Sequence, residues 1–313
     1  MITLDRIAEA PSRVAGACLT IGNFDGVHLG HAQLAGSLRA MADALAAPAI
    51  ALTFDPHPVA LLRPEAAPVP LVWTERKVAL LKAAGVDDVG VFQTGPWLLG
   101  LSAREFFDRI IRGQFAARGI VEGSNFAFGR GRGGDAHQLR DWCADAGLRF
   151  ASAPSFAIDG ALVSSSRIRA LLAEGDADAA ARMLGRPHRL RGIVTHGAGR
   201  GAGLGIPTAN LDGIDVVIPF DGVYAGRAIL DDATYPAALN IGPNPTFGEQ
   251  IRKVEAHLVG FDGDLYGRTL AVDVHARLRP ARRFDGIDDL LAQIREDIAR
   301  TVAVVAAAPY STI

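Results

Sequence analysis

Apolar residues in the first half of the chain fall into short runs separated by longer amphipathic stretches. Residues 17–21 form an apolar run closed by Gly22 and read as a buried strand. Across 31–45, Leu34, Leu38, Met41 and Leu45 recur at helical spacing until Pro48 ends the pattern. Residues 49–54 predict a second strand, and Asp55-Pro-His-Pro58 a rigid turn after it. A helix over 74–84 leads to a strand at 89–92. Ser102 with Glu105 three residues on is a capping box that opens another helix. A strand at 119–122, a helix over 136–146 and a strand at 148–152 continue the alternation. Such a rhythm predicts a parallel sheet with helices on both faces.

The pattern changes after residue 160. Helical stretches at 164–173 and 176–184 end at Gly185-Arg-Pro187. Strands then follow at 190–195, 222–230, 254–261 and 270–278, separated by Gly, Pro and Asp turns, which predicts an antiparallel barrel. An amphipathic helix over 287–305 closes the pattern. The expected domains are 1–185 and 186–313, and 313 residues suit two domains better than one.

Composition narrows the function classes. Hydrophobic residues make up 49% and charged residues 21%, as in a folded globular protein. A net charge of -2 supplies no field that would gather nucleic acid. Cys18 and Cys143 lack metal-ligand spacing and read as core thiols. The first residues lack the basic and apolar regions of a signal peptide, and no run approaches the ~20 apolar residues that span a bilayer. A cytoplasmic protein without membrane or nucleic-acid partners is expected; nothing indicates an oligomeric state.

The first candidate site is the decapeptide Gly22-Asn-Phe24-Asp25-Gly26-Val-His28-Leu-Gly-His31, the first strand-to-helix connection. Open parallel sheets bind ligands at the carboxyl ends of their strands, and helix starts favour phosphate. Two imidazoles three residues apart can donate to oxygens that gain charge in a transition state; an exposed histidine turn is the plainer reading. Gly129-Arg-Gly-Arg-Gly-Gly134 matches a dinucleotide fingerprint literally but follows Ser124-Asn125-Phe126-Ala-Phe128 rather than a first strand, so that reading fails. It is either a basic loop over phosphates or a surface loop. Ser164-Ser165-Ser166-Arg-Ile-Arg169 is either an anion cradle or a helix cap with a solvated arginine.

The barrel half carries Gly197-Ala-Gly-Arg200-Gly-Ala-Gly-Leu-Gly205-Ile-Pro-Thr208-Ala-Asn210. It lacks the Gly-Lys-Ser/Thr of a Walker A loop, yet its amides can line a phosphate concavity or form a long turn. Glu255 and His257 share one face of an alternating strand. Glu255 is either a base for a hydroxyl nucleophile or a solvated carboxylate.

Taken together, the His-Leu-Gly-His pair, Ser-Ser-Ser-Arg-Ile-Arg169, Thr53-Phe-Asp-Pro-His-Pro58, the glycine-rich run to Asn210, Asn240-Ile-Gly-Pro-Asn-Pro-Thr-Phe247, Glu255-Ala-His-Leu258 and Phe261-Asp-Gly-Asp-Leu-Tyr-Gly267 resemble the bacterial bifunctional riboflavin kinase/FAD synthetases. The resemblance spans about residues 17–297. It implies an α/β fold: a Rossmann-like nucleotidylyltransferase domain followed by a flavokinase-like antiparallel β-barrel with a terminal helix. It implies phosphorylation of riboflavin by ATP to FMN and ADP, then adenylylation of FMN to FAD, with Mg²⁺ on the phosphates. By motif match Glu255 is the base, Thr208 and Asn210 hold Mg-ATP, and Gly197, Arg200 and Gly205 cover the nucleotide. His28 and His31 act at the triphosphate, with Gly22, Phe24, Asp25, Gly26 and Asn125 around the nucleotide. Ser164, Ser165, Ser166 and Arg169 hold pyrophosphate. Asp55, His57, Phe126, Phe128, Arg279 and Phe284 contact flavin. Ser166 replaces the usual threonine, keeping the hydroxyl, and Ala281 stands where the family usually has glutamate.

Overall fold

The computed structural model describes residues 1–7, 11–197, 200–243 and 251–308, without the side chains of Arg200 and Ala202. The chain separates into two compact units, 1–68 with 72–163, and 69–71 with 164–313.

In the first unit six parallel strands, β1 (Ile2–Leu4), β2 (Cys18–Ile21), β3 (Ala49–Asp55), β4 (Asp88–Gln93), β5 (Gly119–Gly123) and β8 (Arg149–Ala153), lie in the order β1-β4-β3-β2-β5-β8. Alternate residues serve opposite faces. Cys18, Ala49, Ala51, Val89 and Val91 meet the helices Leu29–Ala44 and Thr74–Ala83 through Leu38, Met41, Leu80 and Leu81. Leu19, Ile21, Ile50, Leu52 and Phe92 share the other core with Phe106, Phe107, Ile110, Leu139 and Cys143. A sheet covered on both faces needs apolar residues at both parities, which is why its strands read as continuous runs. The chain builds outward from β2 through β3 and β4, then crosses to place β5 on the opposite side of β2. The strand order therefore reverses between β2 and β5, where open α/β sheets form their ligand crevice.

Short pairs flank this sheet: β6 (Ala127–Phe128) with β7 (Gly134–Asp135), and β9 (Ala157–Ile158) with β10 (Ala161–Leu162). The capping box at Ser102 is present, but only Ala103–Glu105 is α-helical, and Phe106–Gln114 winds as a π-helix.

The second unit is a closed antiparallel barrel of β11 (His188–Thr195), β12 (Ala209–Asp212), β15 (Lys253–Leu258), β14 (Ala233–Gly242), β13 (Gly222–Leu230) and β16 (Thr269–Arg279), in that order. Leu190, Leu211, Leu239, Val254, Ala256, Val272 and Val274 are buried at alternating positions and fill the barrel. The C-terminal helix Ile287–Ala307 packs on the outside, with Val304 against Val223, Ala225 and Leu278. The helices Ser165–Glu174 and Ala177–Leu184, expected with the first domain, group with this unit. The Phe220 amide donates to Leu172 O at 2.8 Å, and Gly175 lies so close to Arg277 and the Tyr224 hydroxyl that a Cβ would sit 3.1 Å from each. Among the described residues no helix is long and apolar enough to cross a membrane.

Candidate active sites

The loop after β2 leaves the sheet through Gly22, whose amide donates to Leu52 O at 2.9 Å. It then passes through the left-handed region at Phe24 (φ 46°), Gly26 (φ 80°) and Val27 (φ 40°). Glycine accepts this conformation; phenylalanine and above all β-branched valine do so at a cost, so surrounding contacts must hold the loop. Phe24, Asp25, Val27 and His28 are all buried. The Thr53 hydroxyl on β3 donates to Asn23 O at 3.2 Å, tying the loop to the neighbouring strand.

His28 caps the Leu29–Ala44 helix, its Nδ1 accepting the His31 amide at 3.3 Å. In the neutral ring this leaves the proton on Nε2. The two imidazoles stack, centroids 3.6 Å apart and planes 13° from parallel, and Phe24 meets His31 edge-on at 5.3 Å. Gly30 permits this, because a Cβ there would lie 3.2 Å from the His28 ring. The spacing of the two histidines thus yields one stacked pair at a helix N-terminus, where free amides and the helix dipole favour anions.

Asp55 ends β3, and a cis bond joins it to Pro56. Its carboxylate accepts the Thr74 hydroxyl at 3.0 Å, while His57 Nδ1 caps the short helix Pro58–Leu62 through the Val59 amide at 3.1 Å. Asn125 is exposed in the turn after β5. Phe126 stacks on Phe128 at 5.2 Å, and Phe128 is itself buried against Phe106 and Trp142. The 129–134 segment is folded rather than a free loop. Arg130–Arg132 forms a 3-10 turn, the Arg130 amide donates to Leu101 O at 2.7 Å, and a Cβ on Gly129 would approach Ala103 Cα to 2.5 Å. Gly129 is therefore explained by backbone packing.

Two polar residues near this edge carried no sequence signal. Glu122, 2% exposed on β5, accepts the Ile21 amide through Oε1 at 2.6 Å. Its carboxylate bridges β2 and β5 just past their last paired residues, Leu19 and Ile120. Burial pushes its pKa well above the ordinary carboxylate range, against the opposing pull of the Ile21 amide. Lys77, 8% exposed, lies on the core side of the Thr74–Ala83 helix.

In the second unit Ser164 caps Ser165–Glu174 by accepting the Arg167 amide at 3.2 Å, and Arg169 Nε donates to Val69 O at 2.9 Å. Both contacts have the geometry of a capped helix with an anchored arginine; Ser166 is exposed.

The barrel aligns its candidates in register. Asn210 on β12 lies directly opposite Glu255 on β15, which lies directly opposite Asn240 on β14. Directly opposed residues share a face, and their neighbours Ala209, Leu211, Val254, Ala256, Leu239 and Ile241 are buried inside. The three polar side chains therefore form one half-buried row on the outer face. Thr208 is exposed just before β12. His257 Nδ1 bonds Pro207 O at 2.8 Å and braces the approach to Thr208. A Cβ on Gly197 would fall within 2.8 Å of Asn210 Cγ and closer to its amide nitrogen, so the start of the glycine-rich loop lies against that amide. His196 stacks on Tyr266 at 3.8 Å beside it. The Ile206 amide closes the loop onto Gly201 O at 2.8 Å, and Gly205 takes a φ of 74°. The Arg200 side chain, residues 198–199 and the 244–247 part of the Asn240 motif lie outside the described residues.

Arg279 makes a forked ion pair with Asp297 of the C-terminal helix, Nη2 to Oδ2 at 2.8 Å and Nε to Oδ2 at 3.0 Å, and lies 5.6 Å from the Phe284 ring. Its donors are thus engaged within the unit.

Comparison with known proteins adds the family. A riboflavin kinase family model matches residues 184–305, and an FAD synthetase family model matches residues 10–167. The bifunctional riboflavin kinase/FMN adenylyltransferase of Pseudomonas fluorescens is 38% identical over 292 residues, covering 93% of this chain and 94% of that one. That of Escherichia coli K12 is 33% identical over 295 residues, covering 94% of each. A solved structure described as a macrolide-efflux protein from Streptococcus pneumoniae superposes with a TM-score of 0.85 at 27% identity, covering 99% of this chain and 100% of that one. The parallel α/β unit, the closed barrel and the two adjoining family matches converge: this chain belongs to the bifunctional riboflavin kinase/FMN adenylyltransferase family.

Proposed function

We propose that the chain makes FAD from riboflavin in two steps at two sites. At the barrel, the riboflavin 5′-hydroxyl oxygen attacks the γ-phosphorus of ATP, its proton passes to Glu255, and ADP leaves. At the α/β unit, an FMN phosphate oxygen attacks the α-phosphorus of a second ATP and pyrophosphate leaves. Neither step needs a covalent enzyme intermediate, so catalysis rests on positioning and charge stabilisation.

The observation that carries the kinase reading is the in-register row of Asn210, Glu255 and Asn240. It sets a carboxylate beside an amide oxygen on a face that the barrel core does not use. The Thr208 hydroxyl and Asn210 amide are hard oxygen donors of the kind Mg²⁺ accepts. Two neutral oxygen donors cannot complete a magnesium shell, so an ion held there would take its remaining ligands from nucleotide phosphates and water. Mg²⁺ would neutralise phosphate charge there. Gly197 and Gly205 allow the loop to close over the nucleotide, together with Arg200.

For adenylylation, the stacked His28 and His31 donate to the triphosphate as charge builds on it. Gly22, Phe24, Asp25, Gly26 and Asn125 surround the nucleotide, and Ser164, Ser165, Ser166 and Arg169 hold the pyrophosphate. Asp55, His57, Phe126 and Phe128 contact flavin in the α/β unit, and Arg279 and Phe284 contact flavin in the barrel unit. We place the functional boundary near Gly185 and the enzyme in the cytoplasm.

The test is incubation with riboflavin, Mg²⁺ and excess ATP, with products separated over time. FMN is expected first, then FAD, and chelation of Mg²⁺ should stop both. Glu255→Gln should abolish FMN formation while leaving FAD formation from added FMN; undiminished FMN formation would remove Glu255 from the mechanism.

A further inference from the structure

A buried carboxyl group stands where the ladder between β2 and β5 ends. The two strands pair through Cys18 with Gly119 and Leu19 with Ile120. Successive amides along a strand point to opposite edges. The Gly22 amide bonds Leu52 O of β3 at 2.9 Å, so the Ile21 amide before it points toward β5. A continued ladder would give it a β5 carbonyl. It donates instead to Glu122 Oε1 at 2.6 Å. A side chain, longer than a backbone rung, thus joins the strands at the point where they part.

Packing does not call for an acid here. Glu122 is 2% exposed, and Ile21, Ile120 and Val121 are buried as well. An apolar residue suits a strand covered on both faces, and a buried carboxyl group carries a desolvation cost that one hydrogen bond offsets only in part. What the acid supplies is reach across the gap between the strand ends.

The loop that starts at Gly22 is held on both flanks. On the β3 side the Thr53 hydroxyl donates to Asn23 O at 3.2 Å. On the β5 side Glu122 holds the amide just before Gly22. Beyond these anchors the backbone passes through the left-handed region at Phe24, Gly26 and Val27 before His28 caps the next helix. A strained loop keeps its shape only where its surroundings fix it. His28 and His31 stack directly after it, so a shift at Ile21 is carried along the loop to the pair.

We propose that Glu122 is a positioning residue for adenylylation: its carboxyl group replaces a ladder rung between β2 and β5, holding the crevice open and fixing the point from which the Gly22–His31 loop departs, so that His28 and His31 meet the triphosphate. The proposal rests on the reading of His28 and His31 given above.

The test uses the full chain with Glu122→Met, Glu122→Gln, Glu122→Asp, His28→Ala, and Glu122→Met with His28→Ala. Steady-state kcat and KM for ATP are measured for FMN adenylylation, and riboflavin phosphorylation is measured on the same preparations. Glu122→Met fills the space without an acceptor and should lower kcat/KM for FAD formation by between about 10- and 100-fold, up to the scale of a 1 Å misplacement, with kcat falling as well as KM for ATP rising. Riboflavin phosphorylation should be unchanged. Glu122→Gln keeps an acceptor at the same reach and should recover most of the loss. The double variant should be no worse than His28→Ala alone, because Glu122 acts through that histidine. Wild-type kcat/KM in Glu122→Met, a loss in Glu122→Gln as deep as in Glu122→Met, or additive losses in the double variant would overturn the proposal. Should Glu122→Met fail to fold, Glu122→Asp, one carbon too short to reach the Ile21 amide, carries the same test, and undiminished FAD formation by it would overturn the bridge. His28→Ala separates the two failures. Retained activity there refutes the histidine reading, whereas lost activity there with a wild-type Glu122→Met refutes only the positioning role.

Discussion

Gly197→Ala isolates the contribution of one amide orientation to the kinase step. The added Cβ would lie 2.8 Å from Asn210 Cγ and 2.9 Å from Oδ1, whereas ordinary contact begins at 3.4 Å. The backbone at 197 is outside the left-handed range, so alanine fits locally and the conflict falls on the Asn210 side chain. That side chain is half-buried at the end of a short branch and can swing away. Its Cγ must retreat by at least about 0.6 Å, more than half the 1 Å misplacement that can cost 100-fold, so kcat/KM for riboflavin phosphorylation should drop by between about 10- and 100-fold. Stability should barely change. Replacing glycine at a compatible position gains about 0.4–1 kcal/mol through the unfolded chain, offsetting the cost of turning the amide. The assay pairs FMN formation from riboflavin, over a range of ATP and Mg²⁺, with a thermal melt and with FAD formation from supplied FMN. Only the first should fall. Wild-type phosphorylation by Gly197→Ala would refute the requirement for the Asn210 amide, and an equal loss of FAD formation would show that the effect is not local.

Arg279→Leu should destabilise the barrel unit by about 3–5 kcal/mol, because it strands a buried carboxylate. Asp297 is only 4% exposed. A lower denaturant midpoint, largely restored when Asp297→Leu is added, would bear this out; unchanged stability with a raised KM for riboflavin would refute it. Glu122→Gln should keep the Ile21 amide bonded while removing a titration. The native state retains a proton that the unfolded chain releases near 4.5, so wild-type stability falls as pH climbs from that value toward the raised native pKa. The advantage of the variant in Tm should therefore widen as pH rises, and a pH-independent difference would refute the assignment.

The sequence made the sheet legible because its central strands are apolar on both faces, and residues such as Ile50, Ala51 and Leu52 leave no polar parity to confuse the reading. Strand β1 escaped it because Ile2–Leu4 is too short to show a period. Strand β12 begins inside the motif that ends at Asn210, where glycine and proline signals dominate. Strand β14 carries Pro236 and small alanines in place of strong alternation. The π-winding of Phe106–Gln114 has no distinct pattern, since its buried phenylalanines and isoleucines also suit an α-helix. The site was legible where chemistry is local, as in His28 and His31. Lys77 and Glu122 were not, because a charged residue at a core position reads as a break; the Ile21 amide becomes visible as the partner of Glu122 only once β2 and β5 are set side by side.

The row of Asn210, Glu255 and Asn240 ties fidelity of folding to fidelity of chemistry. Strand side chains alternate with a period of two, so a one-residue slip of β15 would turn Glu255 into the core and push Val254 and Ala256 out. The closed barrel has no spare edge at which such an error could be absorbed. A barrel misregistered by one residue would then bury a carboxylate and expose its packing residues, so it would be discarded as unstable before it could act as a faulty kinase. Cohesion of the core is in this sense the quality control of the active site.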